Sequence, residues 1–462
     1  MPPYETLEVF REYDLRGLAE TELTDGFCAD LGLTLAAYYR EHGLDRVLVG
    51  RDNRLSSDRI RASLVRGLTD GGCDVVDIGV VITPLFYYAR VDLAIDAGVM
   101  ITASHNPPAH NGFKIARGHA TIHGEEIQDL RRRLLAATAK PAARRGSVAT
   151  VDEGPSYLRM LAEKISLARP LKVVVDCGNG TAGFFAPDYL RRLGCDVIPL
   201  YCEPDGTFPH HEPDPVRSAN LVDLQREVLA RGADLGVAFD GDGDRLGVVD
   251  DRAQIIWGDK MMVLFWREIL ARHPGATALI EVKCSDSLVE EVRRLGGKPV
   301  FTRTGHSLIK AKMREIGALF AGEMSGHMFF ADEYYGFDDA LYAAGRLLRF
   351  VAASGRPLSD LLSGLPAYHS TAETRIPCPD AAKERVVRGV RDHFAPRHEV
   401  VDVDGARVIF PDGWGLVRAS NTQPVIVARC ESKTREGLER IKAETANALL
   451  SFPEIASVEW ES

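Results

Sequence analysis

The chain has 462 residues, which is too long for one hydrophobic core and predicts three or four domains. Hydrophobic residues make up 45% and charged residues 26%, as in an ordinary soluble protein. No apolar run approaches the roughly 20 residues that a membrane helix needs. The formal net charge of −10 argues against a nucleic-acid partner, which would bind a broad basic face. The eight cysteines form no C-x-x-C pair, and the N-terminus lacks a signal-peptide pattern, so we expect a cytoplasmic protein without membrane, zinc or disulfide framework.

Apolar strand-like runs alternate with helical patterns from about residue 27 onward, which predicts mostly parallel sheets covered by helices. The pattern restarts twice, and the strand openings Val47–Asp52, Val173–Gly178 and Leu279–Lys283 resemble one another. We therefore predict three similar mixed-sheet α/β domains. From Tyr368 the order changes to strand, helix, several short strands and a final helix, which predicts a smaller α+β domain. The expected domains span residues 1–146, 147–252, 253–367 and 368–462.

The segment Thr102–Pro107 follows an apolar run, Ala97–Ile101, that reads as a buried strand. Turns are predicted at Pro107-Pro108 and at Asn111-Gly112. Ser104 would then stand at the mouth of a strand on a constrained loop, with Lys114 downstream, as suits a nucleophile or a phosphate carrier. A plain strand-to-loop turn is the alternative, because Ser, Asn and Pro are common in such turns.

The segment Asp240–Arg245 places three carboxylates, alternating with glycine, directly after an apolar strand. In an extended segment residues two apart share a face, and glycine lets the backbone bend so that the carboxylates converge. A hard divalent ion would remove their repulsion, and oxygen ligands favour magnesium or calcium. An EF-hand would need glycine where Arg245 stands and glutamate where Asp251 stands, which leaves a solvated acidic turn as the other alternative.

Two further loops carry polar groups. Gly322–His327 offers an acidic and an imidazole group on a glycine-bounded loop, which suits sugar recognition or proton transfer. Arg418–Pro424 joins two apolar strands, and its side chains and backbone N–H groups could surround a phosphate. An unremarkable loop and a polar hairpin are the respective alternatives.

Weaker candidates are Lys283 at a strand end, the cationic turn Arg303–His306 before a helix, and Tyr13 and Arg16 beside a glycine; each could equally be a surface residue. The chain contains no Walker phosphate loop, G-x-G-x-x-G fingerprint or G-x-S-x-G elbow. Nucleotide phosphate transfer and α/β-hydrolase chemistry are therefore not the first expectation.

Together these motifs resemble the α-D-phosphohexomutase family, and within it the bacterial phosphomannomutase/phosphoglucomutase branch. The resemblance covers essentially the whole chain, in the family's order. It rests on five segments: Tyr13–Gly17, Thr102–Pro107, Asp240–Arg245, Gly322–His327 and Arg418–Pro424. It implies four domains around a central cleft, each contributing one loop.

The resemblance also implies roles for individual residues. Ser104 would carry the phosphoryl group and, with Asp240, Asp242 and Asp244, would bind Mg²⁺. Catalytic or phosphoryl-contacting groups would be Lys114, Arg16, Arg245, His327 and His306. Substrate would be bound by Tyr13, Lys283, Glu323, Ser325, His327, Arg418, Ser420, Asn421 and Thr422.

The reaction implied by the resemblance interconverts hexose 1-phosphate and hexose 6-phosphate through phosphoserine and a hexose 1,6-bisphosphate, which acts as intermediate and activator. In the family, Met324 in Gly322–His327 accompanies mannose and glucose phosphates, whereas glutamine there accompanies glucosamine phosphate. Dual mannose/glucose use is therefore expected. We also expect the protein to be a monomer. The alternatives are a phosphoglucosamine mutase, a metal-dependent sugar-phosphate phosphatase and a non-catalytic binding homologue.

Overall fold

The structure is a computed structural model that describes residue 4, residues 7–420 and residues 423–461. The chain divides into two compact units. The first comprises Met1–Phe265 and Ser325–Leu362, and the second comprises Trp266–Met324 and Ser363–Ser462. Among the described residues, no helix combines the length and the apolar character that crossing a membrane requires.

The first sheet of the first unit is mixed. Strands β4, β2, β3 and β7 are parallel, and β5 pairs antiparallel with β4 and with β1. The strand order is β1-β5-β4-β2-β3-β7, with β6 on β5. The elements are β1 (Leu15–Leu18), α1 (Asp25–Glu41), β2 (Arg46–Arg51), α2 (Ser57–Asp70), β3 (Asp74–Val80), α3 (Thr83–Asp92), β4 (Ala97–Ile101), β5 (His110–Arg117), β6 (Ala120–Thr121), α4 (Glu125–Ala136) and β7 (Val148–Thr150).

The turn predicted at Asn111-Gly112 is wrong, because both residues lie inside β5. Asn111 is fully buried and its side-chain amide donates hydrogen bonds to the hydroxyls of Ser56 and Ser57. Gly112 lies opposite β1, and a Cβ on it would stand 2.2 Å from the carbonyl oxygen of Leu15. The Asn-Gly pair therefore serves tertiary packing here instead of a hairpin turn.

The second sheet, also in the first unit, is mixed as well. Strands β10, β8 and β9 are parallel, and β11 and β12 continue the sheet antiparallel, in the order β12-β11-β10-β8-β9. Its elements are α5 (Gly154–Lys164), β8 (Lys172–Asp176), a 3-10 turn (Thr181–Phe184), α6 (Ala186–Arg192), β9 (Asp196–Leu200), a 3-10 turn (Ser218–Leu221), α7 (Val222–Arg231), β10 (Leu235–Phe239), β11 (Leu246–Asp250) and β12 (Ile255–Ile256).

Residues 258–361 contain the third α/β region and are divided between the two units. In the second unit β13 pairs in parallel with β14 and β15. The elements are α8 (Gly258–Arg272), β13 (Thr277–Glu281), α9 (Asp286–Arg294), β14 (Lys298–Thr302), α10 (His306–Ile316), β15 (Phe320–Gly322), β16 (Met328–Phe330), α11 (Ala340–Ser354) and α12 (Leu358–Leu361). Helix α8 begins in the first unit and ends in the second, whereas β16, α11 and α12 belong to the first.

The C-terminal region is an antiparallel sheet packed with two helices, as the sequence predicts. Its long strands follow the order β22-β21-β20-β19, with β17 and β18 both on β22. The elements are β17 (His369–Ser370), β18 (Thr374–Pro377), α13 (Asp380–Phe394), β19 (Glu399–Val401), β20 (Ala406–Phe410), β21 (Gly413–Ala419), β22 (Val425–Ser432) and α14 (Arg435–Leu450).

Candidate active site

Ser104 lies in the loop between β4 and β5, with only 1% of its surface exposed. Its φ is +52°, in the left-handed region that side chains rarely adopt. Its hydroxyl donates to Asp240 Oδ2 at 2.8 Å and lies 3.1 Å from His105 Nδ1. Burial, assisted by nearby arginines, holds the pKa of His105 well below its usual 6.5. The serine oxygen therefore faces a carboxylate and an imidazole that stays neutral at pH 7.

The segment Asp240–Arg245 is the tight turn between β10 and β11, so the expectation of an extended segment is wrong. The three carboxylates converge because the chain reverses, with Gly243 N bonded to Asp240 O and a φ of +71° at Gly243. Gly241 has another reason to lack a side chain, since its Cβ would stand 2.4 Å from the carbonyl oxygen of Ser104. This close backbone approach brings the turn against the Ser104 loop.

Asp240, Asp242 and Asp244 are fully buried, and one oxygen of each lies within 4.8 Å of the others. Burial and the two neighbouring aspartates raise the pKa of Asp240 well above its usual value. Burial acts in the same direction on Asp242, but Lys114 outweighs it and lowers that pKa. Burial opposes charge on Lys114 too, while Asp242 and Asp244 raise its pKa well above 10.5. Its ammonium donates to Asp242 at 2.8 Å and also to Asp244.

The three aspartates fit a divalent cation by their chemistry. Asp242 Oδ1 and Asp244 Oδ1 are buried and accept no hydrogen bond from any residue that the structure describes. Two unsatisfied carboxylate oxygens in a buried site are costly unless a cation takes them up. Because the donor set is oxygen only, it favours Mg²⁺ or Ca²⁺ over softer metals.

Two arginines and a histidine border this cluster in the first unit. Arg16 donates to Asp14 at 2.7 Å and to Asn106 Oδ1, in the Ser104 loop, at 3.0 Å. Arg245 Nε donates to His327 Nε2 at 3.0 Å. Despite the opposing effect of burial, nearby acidic groups raise the pKa of both arginines.

His327 also lies close to two aspartates through its second ring nitrogen. Its Nδ1 lies 3.1 Å from Asp338 Oδ2 and 3.5 Å from Asp244 Oδ1. The backbone of His327 also bridges that of Arg245. Ser325 lies half-buried two residues earlier, and Tyr13 lies half-buried in the bend before β1.

The second unit gathers its own charged groups around Lys283, which follows β13. The Lys283 ammonium lies 3.2 Å from Glu281 and 3.0 Å from Glu373. Glu281 also accepts hydrogen bonds from the Thr304 hydroxyl at 2.6 Å and from Met324 N at 2.9 Å. Glu281 therefore links the end of β13 to the predicted Arg303–His306 turn and to the Gly322–His327 loop.

Glu323 and His306 are both buried in the second unit. Glu323 accepts a hydrogen bond from Gly305 N at 2.8 Å. His306 is the first residue of α10, directly after Gly305. The structure thus brings the acidic group of one predicted loop to the cationic turn that contains His306.

Arg418 lies near the end of β21 with 5% of its surface exposed. Its Nε donates to Asp404 Oδ2 at 2.9 Å, while its Nη2 is buried and has no hydrogen-bond partner among the described residues. Lys383 on α13 anchors the loop after β21 by donating to the carbonyl oxygens of Ser420 at 2.6 Å and Gln423 at 2.9 Å. Asn421 and Thr422, both predicted to bind phosphate, lie outside the described residues.

Family models of the four domains of phosphoglucomutase/phosphomannomutase match this chain in order. Three are α/β/α domains, matching residues 7–140, 155–254 and 257–368, and the C-terminal domain matches residues 373–448. The chain belongs to the phosphoglucomutase/phosphomannomutase family. The resemblance to the phosphohexomutases and the predicted fold class, three α/β domains with a C-terminal α+β domain, are confirmed.

Individual relatives agree with the family. A phosphomannomutase/phosphoglucomutase of Pseudomonas aeruginosa is 46% identical over 96% of this chain and 95% of its own. A phosphoglucomutase of Neisseria gonorrhoeae is 42% identical over 97% and 98%. A crystal structure of a family protein from Burkholderia thailandensis superposes with a TM-score of 0.91 at 41% identity, covering 98% of this chain and 99% of that one.

Some site residues were missed by the sequence reasoning. Thr83 donates to Asp242 Oδ2 at 2.6 Å, Asp338 contacts His327, and Lys383 holds the carbonyls of the loop after β21. Thr83 begins α3 and Lys383 lies on α13, both far in sequence from the motifs they contact. Only Asp338-Asp339 carried a signal, as a pair of acidic residues directly before an apolar helix.

Metal addition tests the aspartate cluster. Millimolar Mg²⁺ should raise the thermal unfolding midpoint of EDTA-treated protein. At a hundredfold excess of Mg²⁺ over its Kd, the free energy of unfolding should increase by about 2.7 kcal/mol. In Asp242→Asn this gain should be largely lost, whereas Asp188→Asn, exposed on α6, should respond like the unaltered chain. Thermal unfolding at matched ionic strength measures the gain. Equal stabilisation of all three proteins would contradict a cation at this cluster.

The Lys283–Glu373 pair should make stability depend on pH. Lys283 holds the pKa of Glu373 at about 2, below the usual 4.5. A carboxyl with a depressed pKa stabilises the fold above its unfolded pKa and loses that contribution as the pH falls toward the folded value. Glu373→Gln should therefore destabilise the protein at neutral pH, and the difference should shrink as the pH falls below about 4.5.

Urea unfolding across that pH range measures the difference between Glu373→Gln and the unaltered chain. Glu384→Gln, exposed on α13, serves as the control for replacing a surface carboxylate by an amide. A constant difference for Glu373→Gln down to pH 3 would rule out the ion pair as its cause.

Proposed function

We propose that the chain reversibly interconverts the 1-phosphates and 6-phosphates of mannose and glucose, as a phosphomannomutase/phosphoglucomutase. The main support is the buried Ser104 hydroxyl, hydrogen-bonded to Asp240 and next to three convergent aspartates and Lys114. The names of the relatives, phosphomannomutase/phosphoglucomutase and phosphoglucomutase, agree with this substrate class.

In this proposal Ser104 carries the phosphoryl group. The serine phosphate gives its phosphoryl to the free hydroxyl of a hexose phosphate and leaves a hexose 1,6-bisphosphate. After the bound bisphosphate reorients, its other phosphoryl group is transferred to Ser104 Oγ and the isomeric hexose phosphate is released. A hexose 1,6-bisphosphate also serves as the activator that first phosphorylates the enzyme.

Asp240, Asp242, Asp244 and the oxygen at Ser104 would hold Mg²⁺, which supplies positive charge beside the transferring phosphoryl group. Lys114, Arg16 and Arg245 supply further charge from the protein itself. The phosphoryl group is transferred with little covalent help, so catalysis depends mainly on alignment and charge stabilisation. His327, held between Arg245 and Asp338, is our candidate for proton exchange with a sugar hydroxyl.

We assign substrate recognition to the remaining predicted residues. Glu323 and Ser325 would bind sugar hydroxyls, and Tyr13, Lys283 and His306 would assist. The distal phosphate would be bound by Arg418, Ser420, Asn421 and Thr422. Support comes from the buried Nη2 of Arg418, a donor with no partner among the described residues. We further propose that the enzyme works as a cytoplasmic monomer.

Phosphorus NMR tests the activity directly. With Mg²⁺ and a trace of hexose 1,6-bisphosphate, the protein should convert mannose 1-phosphate and glucose 1-phosphate into 6-phosphates. Ser104→Ala should lose turnover below detection while remaining folded, because the acceptor oxygen is gone. Ser218→Ala, exposed in the 3-10 turn before α7, should keep the full rate. Near-normal turnover by Ser104→Ala would overturn the mechanism.

The same spectra decide between the alternatives. Faster conversion of glucosamine 1-phosphate than of either neutral sugar would make the chain a phosphoglucosamine mutase. Steady release of inorganic phosphate without isomerisation would make it a phosphatase. Binding of all three sugar phosphates without any turnover would make it a binding homologue.

Arg418 tests the distal phosphate site. Arg418→Ala should raise KM by a factor equivalent to about 1.5–3 kcal/mol, as expected for a lost charge-assisted hydrogen bond, with a smaller change in kcat. Arg418→Lys should fall between, since it keeps the charge but loses the planar fork. Arg388→Ala, exposed on α13, is the control. An unchanged KM in a folded Arg418→Ala protein would contradict the assignment.

A further inference from the structure

Arg54, between β2 and α2, is a buried cation to which the proposed mechanism gives no role. Its side chain is fully buried. Nη2 donates to the carbonyl oxygens of Ser104 at 2.8 Å and Asn106 at 2.6 Å. Nη1 donates to those of Pro107 at 2.8 Å and His110 at 3.1 Å. One guanidinium therefore holds the backbone of residues 104–110 at four points.

The loop needs such an external support. The left-handed φ of +52° at Ser104 costs of the order of 1–3 kcal/mol and persists only where the surroundings enforce it. Pro107 and Pro108 lack backbone N–H groups, so this segment has few donors with which to form regular structure. The carbonyl oxygen of Ser104, which Arg54 holds, is the same one that Gly241 approaches.

Arg54 is itself held in place by neighbouring side chains. Its Nε donates to Asp52 Oδ2 at 3.1 Å, and Asp52 Oδ1 accepts from the Ser57 hydroxyl at 2.6 Å. The ring of Phe208 lies against the guanidinium, 5.2 Å from Cζ to the ring centroid. Phe208 is buried, although it belongs to the proline-rich loop from Glu203 to Pro215. The Phe208 ring therefore helps to shield the guanidinium from water.

We propose that Arg54 is a positioning residue for phosphoryl transfer, which holds Ser104 in its strained conformation through the four carbonyl bonds. The inference rests on the proposed role of Ser104 as phosphoryl carrier. A misplacement of about 1 Å in a reacting group can reduce the rate by a factor of the order of one hundred. Lysine cannot replace the arginine, because its point charge lacks the planar fork that reaches four acceptors.

The test compares Arg54→Lys with Arg90→Lys. Arg90 is also buried and its Nη2 donates to the carbonyl oxygens of Asp96, at 2.7 Å, and of Gly118. These contacts lie at the opposite end of the β4–β5 pair from Ser104. Both variants should lose thermal stability, since each leaves carbonyl groups without a donor. A purely structural role predicts equal consequences for the two.

Positioning predicts that only Arg54→Lys loses activity. Its kcat should fall by about tenfold or more with KM within about twofold, because alignment changes and substrate contacts do not. Single-turnover phosphorylation of Ser104 by hexose 1,6-bisphosphate should slow by the same factor. Hydrogen exchange of the 102–110 segment should accelerate in Arg54→Lys and stay unchanged in Arg90→Lys.

Equal loss of kcat in the two variants, or unchanged kcat or loop exchange in Arg54→Lys, would overturn the inference while leaving the mutase intact. Absence of mutase turnover in the unaltered chain would instead defeat the proposed function and, with it, this role. If Arg54→Lys does not fold, Phe208→Leu replaces it. That variant removes the ring face but keeps apolar cover, and should lower kcat at unchanged KM; an unaltered kcat would overturn the inference.

Discussion

Three buried carboxylates in one turn create the electrostatic constraint on which the first unit depends. Asp240, Asp242 and Asp244 are all fully buried, and burial together with the two neighbouring aspartates raises the pKa of Asp240. Lys114 on β5 and the hydroxyls of Ser104 and Thr83 donate hydrogen bonds to these aspartates. These groups do not satisfy every carboxylate oxygen, since one oxygen of Asp242 and one of Asp244 still lack a hydrogen bond from the described residues. A divalent cation at this cluster would take up these two oxygens.

The carboxylate turn and the Ser104 loop are held together by backbone packing as well as by charge. Gly241 touches the Ser104 carbonyl oxygen, the Thr83 N–H donates to the carbonyl oxygen of Asp242, and Thr181 N donates to that of Gly241. Backbone contacts of this kind have little freedom, because a side chain would not fit and a missing partner would be costly. The serine and the aspartates are thus placed by loops from two different sheets, each of which fixes the other.

The sequence was informative where a polar site segment directly follows an apolar strand along the chain. The run Ala97–Ile101 and the predicted strand Asp234–Phe239 correspond to β4 and β10, the strands that carry Ser104 and the aspartates, because a buried strand must be apolar on both faces. It failed at Asn111-Gly112, where tertiary packing outweighed the local preference for a turn. No strand was predicted at β11, whose apolar residues Leu246–Val249 follow directly after the Asp240–Arg245 turn.

Arg54 and Lys383 illustrate a different limit. Each acts by donating to carbonyl oxygens of a distant loop, so neither belongs to a motif and neither residue type is unusual where it stands. Arginine in a loop between a strand and a helix, and lysine on an amphipathic helix, are ordinarily surface residues. Their roles depend on which loop the fold brings to them, and short-range sequence patterns do not carry that information.

If Arg418 and Lys283 bind substrate as proposed, their carboxylate partners in the second unit suit a ligand that must also be released. Arg418 and Lys283 are buried cations, yet Asp404, Glu281 and Glu373 already occupy part of their hydrogen-bonding capacity. A bound phosphate would therefore compete with these carboxylates, which keeps the cations in position and lowers the net gain on binding. The proposed bisphosphate intermediate must stay bound long enough to reorient, and the product must then be released. Cations with carboxylate partners meet both requirements better than unpaired ones, because the charge freed on release is taken up again by the protein.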